Sequence, residues 1–284
     1  MSEGLEAFRG RWFAVKIGGE LARDRPALAA SVGEAVKAFL AHGIKVCVVH
    51  GAGPQATDLS RRLGLETKQV GGRRVTDEAT LEVMKMALAG QVSVDIAAAF
   101  RLARVPAVTT TGVSAGLVES VKRPPRVIEG AGPEPVDLGW VGDVTSVNVP
   151  ALEALASAGL VPVLGSLAGD AQGRVFNINA DTVATRLAAA LQAAKLFLVS
   201  NVPGVLRDRG DPASRIARLT PSEARAQMRS GVIVGGMAVK VEESLEMLEG
   251  GIDAIHVVGV EPARALLEEA TRAGSHGTAF VREC

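Results

Sequence analysis

The chain predicts an α/β protein: an open, mainly parallel sheet sandwiched by helices, with two lobes on one continuous sheet. Three observations point there. Short apolar runs alternate with longer stretches of helical spacing, the order that builds parallel strands with crossover helices. Those runs are apolar throughout rather than every second residue, so both faces of each strand are covered. Glycine turns follow several of them, where a strand must hand over to a helix. The composition agrees: 284 residues, 48% hydrophobic and 22% charged, with 32 glycines.

Taken in order, Trp12 to Ile17 reads as the first strand, stopped by Gly18-Gly19. Leu28, Val32, Val36 and Leu40 recur every fourth residue, predicting a helix from about Pro26 to His42 that Gly43 ends. Ile44 to His50 is a second buried strand, running into Gly51-Ala52-Gly53-Pro54. Thr76 to Arg104 reads as one long helix or two closely joined ones, interrupted near Gly90, before a strand over Val105 to Thr110. Residues 114–149 change texture, with short apolar pieces around Pro124-Pro125, and predict antiparallel hairpins projecting from the main sheet. The second half resumes the alternation. Helix Pro150–Ala158, strand Leu160–Leu164, helix Ala180–Gln192 and strand Lys195–Ser200 come first. Two helices parted near Gly231–Gly236, strand Ala254–Val258, helix Pro262–Ala273 and strand Thr278–Arg282 complete it.

Balanced charge, 31 basic against 31 acidic side chains, argues against nucleic acid or an anionic membrane as a partner. Aromatic residues at 3% leave few platforms for base stacking. The apolar runs are broken before roughly 18–20 residues, so no membrane span is expected. Two cysteines, Cys47 and Cys284, make no disulfide scaffold, and a reducing cytoplasm is expected. The four histidines lack metal-site spacing, and no GxSxG elbow or P-loop is present.

Several polar residues sit at element ends. Lys16 lies inside an apolar strand just before Gly18-Gly19. Its ammonium either reaches an anion at the strand's open end or snorkels beside an ordinary turn. At His50-Gly51-Ala52-Gly53-Pro54 the helix start offers N–H groups to an anion; otherwise the glycines merely turn the chain and His50 fills a core hydrogen bond. Asp181, in Asn177-Ile178-Asn179-Ala180-Asp181, either caps a helix or orients cations. Lys240 follows Gly235-Gly236 at another helix opening. Two lysines, three glycine turns and one aspartate at element ends favour phosphoryl chemistry over oxidoreduction.

These segments together resemble the amino acid kinase family, from about Arg11 to Val281. Lys16-Ile17-Gly18-Gly19, His50 to Gln55, Gly72-Arg73-Arg74-Val75-Thr76, Asn177 to Asp181, Ser200-Asn201-Val202-Pro203-Gly204 and Gly235 to Lys240 occur in family order. The resemblance is to members that use ATP with Mg2+ to phosphorylate the side-chain carboxylate of N-acetyl-L-glutamate in arginine biosynthesis. It implies Lys16, Asp181 and Lys240 as the catalytic charges and Ala52, Gly53, Arg74 and Asn177 around the acyl amino acid. Gly18, Gly19, Ser200, Asn201, Gly204 and Gly236 would hold ATP. It also implies an extension over 1–10, an acyl-amino-acid lobe over 11–176, an ATP lobe over 177–284, and a homodimer or homohexamer. A sister activity on carrier-linked aminoadipate, and a nucleotide-binding sensor without turnover, are the rival readings. Three departures stand out: Ala52 replaces a glycine, Asn201 replaces an aspartate, and Thr111 to Gly116 lacks the usual glycine–lysine–aspartate form. Leu5 to Gly10 reads either as a frayed terminus or as the lead-in of arginine-inhibited members.

Overall fold

The computed structural model describes residues 2–128, 131–208, 210–249, 252–260 and 262–283. For Ser2, Glu3 and several residues of 236–249, Lys240 among them, it describes the backbone alone. Cys284 lies outside the described residues.

Along the chain run α1 (Ser2–Glu6), β1 (Trp12–Ile17), α2 (25–41), β2 (Lys45–His50), α3 (Gly53–Arg62), β3 (Gln69–Val70), β4 (Arg73–Arg74), α4 (Glu78–Leu102) and β5 (Ala107–Thr111). Then come β6 (Val118–Lys122), β7 (Gly142–Val147), α5 (Val149–Ser157), β8 (Val161–Gly165), β9 (Leu167–Gly169), β10 (Val175–Asn177) and α6 (Ala180–Ala190). The last stretch holds β11 (Lys195–Ser200), β12 (Arg218–Leu219), α7 (Pro221–Arg229), α8 (Gly236–Glu249), β13 (Ala254–Gly259), α9 (Ala263–Thr271) and β14 (Gly277–Val281).

Eight strands form the main sheet in the order β12-β14-β13-β11-β1-β2-β8-β5. Its pairs are parallel except β13 with β14. The sheet divides between β1 and β11, with the strands up to β8 on one side and those from β11 onward on the other. Alternation along β1 feeds two cores, one on each face. Phe13, Val15 and Ile17 pack on the α2–α4–α9 side. Trp12 and Ala14 pack on the side covered by α6 and α8. By the same alternation Lys16 falls on the α6 face, which decides what it can reach.

The helices begin where short polar side chains accept orphan N–H groups. Asp24 accepts from Ala27, and Asp77 from Thr80. The interruption expected near Gly90 is a widened turn, Met86–Val92, within the continuous helix α4. There the Ser93 hydroxyl donates to the Leu88 carbonyl at 2.8 Å. By length and composition alone α4 could cross a membrane, with an 18-residue window of mean hydropathy 1.4. Half of it is buried here, and Leu81, Met84, Leu88, Ile96 and Phe100 pack into the protein's own interior.

The region 114–149 does contain an antiparallel pair, β6 with β7, but it does not extend the main sheet. It joins β9 and β10 in a separate four-stranded sheet ordered β10-β9-β6-β7. The segment before β1 is packed rather than frayed: Leu5 is buried, and the Phe8 ring meets the edge of Phe13 at 5.2 Å.

Candidate active site

A cleft of about 400 Å³ opens at the C-terminal ends of β1, β2 and β8, where open α/β sheets bind ligands. Lys16, Gly18, Gly19, Ala52, Gly53, Arg74 and Asn177 all line it. Residues from four separate segments of sequence thus converge on one cavity.

At its floor the Lys16 ammonium lies 2.9 Å from Asp181 Oδ1, the two side chains only 11% and 10% exposed. The two readings of Asp181 separate here. Asn179 is the helix cap, its side chain accepting the Asp181 N–H at 3.0 Å. The Asp181 carboxylate is therefore released from capping and lies against Lys16, close to the positive end of α6. A buried ammonium in such a pair is held in place but not consumed, since it carries three N–H donors.

The two glycine turns close on one another. A Cβ on Gly19 would lie 2.6 Å from the Gly51 carbonyl and 2.9 Å from Ala52 Cα, so the contact admits no side chain. Gln55 ties the turns together, its Nε2 donating to the Gly19 carbonyl at 2.6 Å, and its Oε1 is buried without a hydrogen-bond partner. Ala52 causes no strain. Its φ is −140°, a negative value that alanine adopts freely, and its methyl is buried in the core. Around Gly53 a Cβ would meet nothing within 4 Å.

On the opposite wall Arg74 donates through Nη2 to Thr57 Oγ1 at 2.8 Å and to the Gly53 carbonyl at 3.3 Å. Its Nη1 is buried with no hydrogen-bond partner. Burial lowers its pKa from the ordinary arginine value, yet a guanidinium remains charged in neutral water. A desolvated, unsatisfied cationic donor on a cleft wall is suited to an anionic ligand. Asn177, at the end of β10, donates to Thr76 Oγ1 at 3.2 Å.

Ser200, Asn201 and Gly204 do not line this cleft. Register pairs Ile17 with Val199, so Ser200 ends β11 beside the Gly18 turn, on the same edge of the sheet. Asn201 follows, exposed. Gly204 has φ +142°, and a Cβ there would come within 2.6 Å of Thr278 Oγ1, which accepts the Val205 N–H. Gly236 begins α8 and Lys240 lies one turn in; the Lys240 side chain is outside the described residues.

His50 proves to be a core histidine. It is fully buried with Nε2 3.1 Å from Ser93 Oγ, and burial pushes its pKa down to about 4. Because the unfolded side chain keeps its ordinary 6.5, the unfolded state takes up the proton first as pH falls. Stability is then present above pH 6.5 and lost on acidification from 6.5 to about 4. Urea unfolding across that range should show the slope, and His50→Gln should flatten part of it.

Arg123, Gln55 and Ser166 also belong to this region, and no role follows for them from sequence. Arg123 and Ser166 line the cleft. Only Gln55 stood in a motif, as the last residue of the second turn.

The family model described as the amino acid kinase family matches residues 11–259. A protein named acetylglutamate kinase from Sorangium cellulosum is 50% identical over 94% of this chain and 93% of its own length. One of the same name from Myxococcus xanthus is 41% identical over 98% of this chain and 91% of its own. Among solved structures, N-acetylglutamate synthase from Neisseria gonorrhoeae, complexed with coenzyme A and N-acetyl-glutamate, superposes with a TM-score of 0.82 at 24% identity. That alignment covers 100% of this chain and 62% of the synthase. Carbamate kinase from Giardia lamblia, bound to AMP-PNP, gives 0.68 at 15% identity, covering 100% of both chains. At these identities the structural likenesses establish the fold alone.

Proposed function

The chain belongs to the amino acid kinase family, and from that premise we propose that it transfers the γ-phosphoryl group of ATP to the side-chain carboxylate of N-acetyl-L-glutamate. The product is an acyl phosphate, and the pathway is arginine biosynthesis. The observation that carries this reading is the pairing, within one cleft, of a buried Lys16–Asp181 ion pair with the unsatisfied Arg74 Nη1. A dicarboxylic substrate offers each of these cations one anion. Relatives named acetylglutamate kinase, about half identical over 94% and 82% of the chain, support the same substrate.

The chemistry asks little of a proton acceptor. A carboxylate is ionised near pH 7, so its oxygen attacks the γ-phosphorus directly while the bond to the β-phosphate bridging oxygen breaks and ADP leaves with the electron pair. What must be supplied is alignment and relief of anion–anion repulsion. In this reading Lys16 draws charge from the transferring group, and Asp181 holds the ammonium on target. Lys240 offsets charge on the departing phosphates. Arg74 takes the carboxylate that does not react, with Ala52, Gly53 and Asn177 completing that end. Gly18 and Gly19 give the phosphates close approach to backbone N–H groups, and Ser200, Asn201, Gly204 and Gly236 form the nucleotide end. The division of the sheet between β1 and β11 supports lobes over 11–176 and 177–284, after a short extension over 1–10. Among the described residues no group of three or more carboxylate, histidine or cysteine ligands converges. Mg2+ would therefore be held largely by the nucleotide's own phosphates.

The test is ATP-dependent hydroxamate formation with N-acetylglutamate, glutamate, aspartate and carrier-linked aminoadipate offered separately. Product from N-acetylglutamate alone is expected; product from the carrier-linked substrate alone would replace the reading, and none at all would reject it. Lys240→Ala should fold normally and lose most turnover. Full turnover would remove its role.

A homodimer or homohexamer in the cytoplasm completes the proposal. It is supported by an apolar face on α4, where Met86, Val94 and Leu102 are 48%, 62% and 64% exposed, beside the open edge of β5. Light scattering should give at least twice the chain mass; a monomer would refute the assembly.

A further inference from the structure

Resting on that reading of the substrate, we infer that Arg123 is a specificity-determining residue: it recognises the neutral acyl carbonyl on the substrate nitrogen and so rejects the free amino acid. Arg123 lies just past β6, and its backbone N–H donates to the Val141 carbonyl at 2.8 Å. Val141 in turn bridges to Asn177. Arg123, Val141 and Asn177 thus stand side by side across the small sheet, and all three line the cleft.

The charge of Arg123 is already answered on one edge. Its side chain is 8% exposed, with Nε 2.8 Å and Nη2 2.6 Å from Asp143 Oδ1, and Nη2 3.4 Å from the Gly142 carbonyl. The other nitrogen, Nη1, has no hydrogen-bond partner among the described residues. Arg74 differs, since no carboxylate pairs with it. An uncompensated guanidinium suits a carboxylate, whereas one already paired with Asp143 presents a donor with little net charge. Such a donor suits a neutral oxygen. On an N-acyl amino acid the neutral acceptor is the acyl carbonyl, and the buried apolar side chains of Met84, Leu138 and Val141 line the cleft to receive the attached methyl.

Free glutamate carries an ammonium in place of that group. It would turn N–H donors toward the Arg123 N–H, donor against donor with no acceptor between them. A site built to donate a hydrogen bond discriminates against a ligand that cannot accept it, because the bound ligand then cuts that donor off from water without replacing the lost partner.

The experiment compares wild type with Arg123→Lys and Arg123→Gln, using turnover of N-acetylglutamate and competitive inhibition by L-glutamate. Lysine keeps the pair with Asp143 but has no second planar edge to offer, so it tests the acyl contact where the glutamine protein fails to fold. In both, KM for N-acetylglutamate should rise about 10- to 100-fold with kcat nearly unchanged, while glutamate binds as well as before or better. An unchanged KM in the folded variants, or an equal loss for acetylglutamate and glutamate, overturns the inference. Wild-type protein inactive on N-acetylglutamate removes the underlying reading and this one with it. Active wild type with unaffected variants removes this one alone.

Discussion

Lys16→Met should reduce turnover of N-acetylglutamate by about 100- to 1,000-fold, the size expected when one preorganised charge at the transition state is removed. KM for the acyl amino acid should change much less, because Arg74 holds the carboxylate that does not react. The same substitution has a cost to folding that must be separated from its cost to catalysis. Asp181, 10% exposed, would lose the ammonium 2.9 Å from it, a defect worth about 3 kcal/mol. The double variant Lys16→Met/Asp181→Asn removes the carboxylate's charge as well. It should recover most of the lost stability in urea unfolding while remaining as inactive as the single variant. Recovery of turnover along with stability would mean that Lys16 serves the fold and not the reaction.

Gly19→Ala should be the second severe change. Its methyl would be driven into the Gly51 carbonyl and Ala52 Cα, backbone atoms that cannot step aside like the end of a flexible side chain. Overpacking of this kind costs about 1–3 kcal/mol. Here it also pries apart the two turns that form the phosphate end of the cleft, so turnover should fall well beyond the loss of stability. Gly53→Ala supplies the contrast in stability, since a Cβ there meets open space. Thermal unfolding of the two proteins side by side reads the difference. Equal melting temperatures would show that the Gly19 contact carries no weight.

Much of this is legible in the sequence. The β1 run could be read because both its faces are covered, leaving a continuous apolar string with Lys16 as its one exception. That exception carries the chemistry: alternation puts Lys16 on the α6 face, where Asp181 waits. What escaped the sequence was short or depended on contacts across space. Strands β3, β4, β9 and β10 have two or three residues each and no period to detect. The texture of 114–149 predicts the β6–β7 hairpin, but nothing in it shows that the pair leaves the main sheet for one of its own. Arg123 carried no signal, because its meaning comes from Asp143 and Asn177, 20 and 54 positions away. The capping ambiguity at Asp181 could be resolved only by seeing Asn179 take the cap. His256 likewise lacked metal-site spacing and showed no other use. It is fully buried, 2.6 Å from Glu269, whose other oxygen accepts the N–H groups of His276 and Gly277 and shapes that loop.

The most direct trial of the cleft as a carboxylate-phosphorylating site is a structure with N-acetyl-L-glutamate and a non-hydrolysable ATP analogue bound together. The side-chain carboxylate should face the γ-phosphorus, with Lys16 in contact with the γ-phosphate and the other carboxylate on Arg74 Nη1. A substrate bound the other way round, or a γ-phosphate beyond the reach of Lys16, would contradict it.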